Sequence, residues 1–444
     1  MSVIEKALSM LEVYPLCDNC LGRQFALLGR GIENNSRGNA LKLTLTLQAS
    51  AFNLEKAPMG SKMLKLLVMN GFSIEAEEAL RQSGKRVPRL PAKICFLCED
   101  KILSIASLLE KALDALSSYE YSSFLVGVEL PVAVEEREDE FKAAFGVAFG
   151  ESIRHEFGRL LGKRFEERTG KLVEYMKPDV TLIVNPFTEN IRLQVNPIFV
   201  AGRYRKLVRD IPQSKWYCSC CRGRGCEKCN GTGKLYPDSV EEFVSGPVLA
   251  AAEGEKTAFH ASGREDIDAR MLGRGRPFVV EVSKPKKRSL DLARLKEAIN
   301  KNATGKVEVS TLRITSKNLV GKLKMSESSQ KKYRVLIEFE KEILDKNLPL
   351  LEQKLTGTLI KQQTPRRVLH RRADLIRERY IYKVKVRMLS PRRVEMQVRC
   401  QGGLYVKELV SGDDGRTMPS VSELLGNRAK TLKLDVLNVL LDDE

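Results

Sequence analysis

The sequence predicts an α+β protein in which an N-terminal module pinned by cysteine ligands precedes a C-terminal domain built on a mostly antiparallel mixed sheet. Three observations carry that expectation. Residues 123–195 read as strand, long helix, strand, strand. Residues 307–441 hold a series of alternating strands broken by short helices, including the adjacent pair 379–389 and 394–401. Nine of the ten cysteines fall in pairs or tight groups, which is the spacing of metal sites.

At 444 residues the chain has room for two or three domains with full cores. No run of eighteen apolar residues occurs, and residues 1–13 read as an amphipathic helix carrying Glu5, Lys6 and Glu12. A cytoplasmic location is therefore expected, and no obligate protein partner is implied. The net charge of +18 calls for an anionic partner. Nucleic acid fits better than a membrane surface, because no strongly amphipathic basic helix stands out. With only His155, His260 and His370 available, a metal site must be mainly thiolate and a histidine-based triad is not expected.

The first region, residues 1–100, contains Cys17-Asp-Asn-Cys20 and Cys95-Phe-Leu-Cys98. Each knuckle offers two thiolates, and together they complete a closed Cys₄ zinc site. Helical pattern at 60–69 and 73–83 lets the intervening segment fold as a unit around the metal. Neither knuckle opens a helix after a buried strand, which argues against redox use.

Residues 101–210 form the second region. A helix is expected over 100–118, a strand over 123–131, and a helix with a basic face over 145–168. Strands at 179–184 and 190–195 follow, and a basic, aromatic segment over 196–206 closes the unit. The order resembles a THUMP domain, a tRNA-binding module fused to several modification enzymes.

Residues 211–237 are a cysteine-rich linker. Cys218-x-x-Cys221 and Cys226-x-x-Cys229 repeat the knuckle grammar, with Cys220 to spare. A second zinc is one reading. A flexible basic linker with incidental thiols is the other.

The last region, residues 238–444, opens with a helix through Val240, Phe243, Val244 and Val248, then reaches the chemically richest stretch, 261–282. Asp266 and Asp268 stand there among Arg264, Arg270, Arg274 and Arg276. Three glycines punctuate the run, and Pro277 leads into an alternating strand from Phe278. A carboxylate among arginines stays ionised and suits a nucleophile or base rather than an acid. The competing reading is an Arg–Asp bridged surface turn. Further on, residues 361–393 hold twelve Lys or Arg against Asp374 and Glu378. A density of like charge interleaved with Tyr380 and Tyr382 points to RNA backbone.

Several segments then carry a family resemblance. Gly263-Arg-Glu-Asp266 resembles the Gly-Arg-x-Asp signature of pseudouridine synthases, Lys331-Lys-Tyr333-Arg-Val their second motif, and Gly402-Gly-Leu-Tyr405-Val-Lys407 their third. Longer segments narrow the resemblance: Ser262 to Gly273, Gln363-Thr-Pro-Arg-Arg-Val-Leu-His-Arg-Arg-Ala-Asp-Leu375 and Gly412 to Gly426 are similar to archaeal-type tRNA pseudouridine synthases of the Pus-ten family. That resemblance implies isomerisation of uridine at positions 54 and/or 55 in the TΨC arm of tRNA, without an organic cofactor. It implies Asp266 as the catalytic carboxylate, with Arg264 or Lys407 keeping it ionised, and Tyr333 stacking on the target base. Tyr405, Val406 and Leu434 would line the pocket. Alternation after Asp266 gives Asp268 a structural part, pointing away from or along the turn.

Two rivals are open to the residues. A methyltransferase needs a glycine-rich turn after a strand, whereas Gly273-Arg-Gly275 precedes one. A non-catalytic RNA-binding protein or chaperone would make no pseudouridine.

Overall fold

The computed structural model describes residues 2–88, 93–325 and 329–440. The chain divides into two units, Met1–Asn196 and Pro197–Glu444.

The first unit begins with α1 (Val3–Val13), opened by a reciprocal Ser2/Glu5 capping box. The short α2 (Asp18–Gly22), α3 (Asn34–Leu54), α4 (Pro58–Gly71) and α5 (Ile74–Gln82) follow. Met10, Leu11, Leu45, Leu64 and Leu67 are fully enclosed between them, beside Cys20, Cys95 and Cys98. After α6 (Ile105–Leu116) come β1 (Ser123–Val128), α7 (Val132–Ala144), α8 (Ile153–Thr169), β2 (Leu172–Val173), β3 (Val180–Asn185) and β4 (Asn190–Val195). The strands form one sheet in the order β2-β1-β3-β4, parallel except for β3 with β4. Val180, Leu182 and Val184 alternate inward along β3. They pack with Phe124 and with Leu108, Leu116, Leu161 and Phe165 of α6 and α8. The helix expected over 145–168 starts only at Ile153, and α7 precedes it.

The second unit consists of β5 (Ile198–Lys206), α9 (Val240–Ala252), β6 (Lys256–Ala261), β7 (Arg270–Ser283), α10 (Leu292–Asn302), β8 (Val307–Thr315), α11 (Lys317–Met325), β9 (Lys331–Phe339), α12 (Asn347–Leu355), β10 (Thr358–Gln363), β11 (Ile376–Ser390), β12 (Arg393–Cys400), α13 (Val406–Ser411), β13 (Thr417–Met418), α14 (Val421–Leu425) and β14 (Ala429–Val439). Nine strands run in the order β13-β10-β11-β12-β9-β14-β7-β5-β8, and β6 pairs with β7 off that path. Every pairing is antiparallel except β14 with β7, which makes the mixed, mostly antiparallel sheet that the strand pattern predicts.

Two expectations shift here. The 196–206 segment, expected to end the RNA-binding module, supplies β5, and β5 is paired on both sides in the second sheet. The strand expected from Phe278 starts at Arg270. Its glycines lie where the β5–β7 register slips between Tyr204/Arg276 and Lys206/Met271, a bulge that absorbs them. The expected end of the last strand, Leu441, lies outside the described residues. The capping box at Ser420/Glu423 forms as the sequence predicts.

Two apolar cores lie in this unit. One gathers Val335, Ile337, Ile360, Val398 and Leu409. The other gathers Val200, Tyr204, Val244, Phe278 and Val436. Tyr333 packs against both.

Candidate active site

Asp266 sits in the eight-residue connection between β6 and β7, which has no regular structure. The second residue of this loop is Gly263, whose backbone is left-handed (φ +68°) and where a Cβ would stand 3.1 Å from Lys331 Nζ. Beside Asp266, the Glu265 side chain turns inward and is fully buried. It accepts from Arg276 Nε at 2.8 Å and from the Tyr204 hydroxyl at 3.0 Å. Neighbouring carboxylates thus have opposite fates: Glu265 anchors the loop and Asp266 faces a cavity.

That cavity, about 940 Å³, is lined by Asp266 together with Tyr333, Tyr405, Val406, Lys407, Leu434 and Arg264. The catalytic and substrate-binding residues expected from the sequence, drawn from four separate segments, therefore meet in one place. Tyr333 comes from β9. The neighbouring β14 supplies Leu434, paired with Val335, two residues from Tyr333 and on the same face. Tyr405 to Lys407 open α13, and the buried Gln362 of β10 fixes them: its amide accepts from Tyr405 N and donates to Tyr405 O, both at 2.8 Å. The Tyr405 hydroxyl accepts from Arg372 at 3.0 Å.

The Asp266 carboxylate, about a third exposed, pairs with Arg367 Nη2 and with Lys407 Nζ, each at 3.2 Å. Burial alone would raise its carboxyl. The guanidinium and the ammonium outweigh that and hold it below the ordinary carboxylate range. Of the two cations expected to keep it ionised, Lys407 does so. Arg264 lines the cavity but makes no ion pair with Asp266 among the described residues, and Arg367 takes that place. Arg367 belongs to the quoted Thr-Pro-Arg-Arg segment, but its reach to Asp266 depends on the turn after β10 and has no local signature. Its Nε is held by Glu408 at 2.7 Å. Asp268 is not among the residues that line this cavity, and it accepts from the same Lys407, at 2.7 and 2.8 Å. Arg270 and Arg276 are committed elsewhere, to Asp435 and Glu265.

Burial and the neighbouring Cys400 push the Tyr333 hydroxyl well above its usual range, so it stays protonated. The run at 361–393 divides by its environment. Arg367, Arg372, Arg377 and Arg379 line the cavity, whereas Arg366, Arg387 and Arg393 pair with acids on the surface.

Both cysteine clusters are assembled. Cys17, Cys20, Cys95 and Cys98 bring four sulfurs within 4.8 Å of one another, and so do Cys218, Cys221, Cys226 and Cys229. Separations of 3.7 Å (Cys17–Cys98), 3.9 Å (Cys218–Cys226) and 3.8 Å (Cys221–Cys229) agree with the edge of a tetrahedron of thiolates around an ion. That edge is about 3.8 Å for metal–sulfur bonds of about 2.3 Å. In the second cluster Gly225 N and Gly233 N donate to Cys221 and Cys229 sulfurs, which favours thiolates. Each set can hold a metal ion. Among the described residues no helix is long and apolar enough to cross a membrane.

Comparison with known proteins shows the family. Residues 199–440 match the family described as Pus10, C-terminal, and residues 108–185 match the archaeal Pus10 THUMP domain. The chain belongs to the Pus10 family. It is 39% identical over 440 residues to the tRNA pseudouridine synthase Pus10 of Methanothrix thermoacetophila, covering 98% of this chain and 94% of that one. The Pus10 of Methanocaldococcus jannaschii is 43% identical over 443 residues, covering 97% and 93%. That of Methanothermobacter marburgensis is 40% identical and covers 99% of each. As a Pus10 protein the chain is a pseudouridine synthase, an isomerase, with a THUMP domain in its first unit.

Proposed function

We propose that this Pus10 chain isomerises uridine to pseudouridine at positions 54 and/or 55 in the TΨC arm of tRNA, with Asp266 as the catalytic carboxylate. The observation that carries this reading is the placement of Asp266, paired to two cations, in the same cavity as Tyr333, Tyr405, Val406 and Leu434.

The reaction breaks the N1–C1′ bond, turns the uracil and rejoins it through C5. The C5 proton is lost and N1 regains one, so no redox partner is needed. An ionised Asp266 can attack C1′ or remove the C2′ proton, and both steps require the carboxylate unprotonated. Tyr333 offers a π-face to the base, with Val406 and Leu434 as apolar walls that retain the detached uracil. A uridine enters such a cavity only when flipped out of its stack. Arg372, Arg377 and Arg379 then meet the phosphates of the distorted strand. The THUMP domain supplies a second tRNA-binding surface, and a cytoplasmic enzyme with access to tRNA fits this role. Both Cys₄ sets suit structural zinc: all four ligands are protein thiolates, and a closed site leaves no position for substrate.

The test is to map pseudouridine on an unmodified tRNA transcript incubated with the purified protein. Conversion at 54, 55 or both is expected. A transcript left wholly unconverted would overturn the reading.

A further inference from the structure

Lys206 closes β5, where the basic segment 196–206 reads as an RNA-contacting end. In the fold it is fully enclosed. Its ammonium has no carboxylate at hydrogen-bond distance among the described residues, and it donates to three backbone carbonyls: Ile211 O at 2.8 Å, Ile267 O at 3.0 Å and Asp266 O at 3.2 Å. A buried ammonium is costly and is tolerated when its donors are satisfied. Here two of the three bonds go to the β6–β7 loop, one of them to the carbonyl of the candidate catalytic residue.

The same loop is held at five of its eight carbonyls. Arg276 Nη1 donates to Ser262 O at 2.6 Å and Gln213 Nε2 to Gly263 O at 3.0 Å. Asp210 N donates to Ile267 O at 2.9 Å, and Arg209 Nη1 to Asp268 O at 2.7 Å. Four of these five donors come from residues 206–213, the end of β5 and the segment after it. The loop has no ladder of its own beyond the Ala269 N to Asp266 O bond and the Ser262 N to Pro277 O bond, so these donors do much to define where its backbone lies. Of these donors Lys206 is the one that bonds the Asp266 carbonyl, which also accepts from Ala269 N of the loop itself at 3.0 Å.

We infer that Lys206 is a positioning residue for catalysis, fixing Asp266 through its backbone from the end of β5. The inference rests on Asp266 being the catalytic carboxylate. A site must hold its reacting groups to within a fraction of an ångström, and a carboxylate on an irregular loop needs such support from neighbouring elements.

The experiment compares wild type with Lys206→Met, which keeps the length of the side chain and removes its donors, and with Lys206→Arg. Single-turnover conversion of a tRNA transcript gives the chemical step, a filter-binding titration gives Kd, and hydrogen exchange reports on residues 262–269. For Lys206→Met the expected result is a fall of tenfold or more in the single-turnover rate with Kd within twofold of wild type. Faster exchange should be confined to the loop, and Lys206→Arg should recover part of the rate. If Lys206→Met converts tRNA at the wild-type rate, or loses rate and binding in equal measure, the inference is overturned. If Lys206→Met does not fold, Gln213→Ala removes another donor to the loop. It should lower the rate severalfold at unchanged Kd, and an unchanged rate would be equally contrary. A wild-type protein that makes no pseudouridine would refute the functional reading itself, a result distinct from either.

Discussion

The Lys407 ammonium lies 3.2 Å from the Asp266 carboxylate, although one residue opens α13 and the other sits in the β6–β7 loop. Burial favours the protonated acid, and Lys407 with Arg367 reverses that preference. Asp266 is therefore ionised at neutral pH, and activity should fall only as pH drops through a carboxyl held below the ordinary carboxylate range. Removing one cation leaves burial less opposed. Lys407→Met or Arg367→Met should move the acid limb of the kcat/KM profile upward by about one pH unit or more. A limb that stays in place in both variants would contradict the pairing.

Glu265 is the buried partner of Arg276 and an acceptor for Tyr204. Glu265→Ala leaves a guanidinium enclosed without its counter-charge, which typically costs about 3–5 kcal/mol. Thermal unfolding should shift down by about 6 °C or more, taking roughly 2–4 °C per kcal/mol for a unit of this size. A shift under a degree would mean that the pair contributes little.

Asp435 of β14 lies directly opposite Arg270 of β7 on one side and Arg334 of β9 on the other, and it also accepts from Arg209 at 2.6 Å. Its side chain is only 6% exposed. Burial raises its carboxyl, and the three arginines more than offset that, bringing it from 3.8 down to about 2. A depressed carboxyl contributes stability above its unfolded value and loses it as pH falls toward the folded one. The contribution, about 2 kcal/mol, should thus be complete near pH 6 and decline between roughly pH 4.5 and 2. Denaturant unfolding of wild type and Asp435→Asn at several pH values should show a gap that narrows with acid. A gap independent of pH would contradict this origin.

Two assembled Cys₄ sets predict two zinc ions per chain by elemental analysis. Cys95→Ser and Cys229→Ser should each remove one. Only the first should strongly destabilise its unit, because Cys20, Cys95 and Cys98 are part of a core, whereas Cys226 and Cys229 are partly exposed. A count of one ion in wild type would leave the second set as free thiols.

How much was legible follows from how local each signal is. The Gly-Arg-Glu-Asp tetrad and the alternation around Tyr333 lie in short segments, and the structure places them as their patterns imply. Helix α3 was hidden by its Leu-Thr-Leu-Thr-Leu run, which alternates like a strand. Packing against α4 selects the helical period instead, burying Leu41, Leu45 and Ala49. Helix α7 offers too few apolar positions to show a period, with only Val134, Glu138 and Phe141 buried. The reach of Arg367 to Asp266, and of Lys206 to the loop backbone, joins segments brought together only by the sheet. The charge run at 361–393 identified a basic region but could not tell cavity arginines from surface pairs.

The most direct measurement of the central claim is pseudouridine formation by Asp266→Asn alongside its tRNA affinity. The change is nearly isosteric and leaves Glu265 and the loop contacts in place. Pseudouridine formation should be abolished while Kd stays near wild type. Conversion at the normal rate would show that Asp266 is not the catalytic carboxylate.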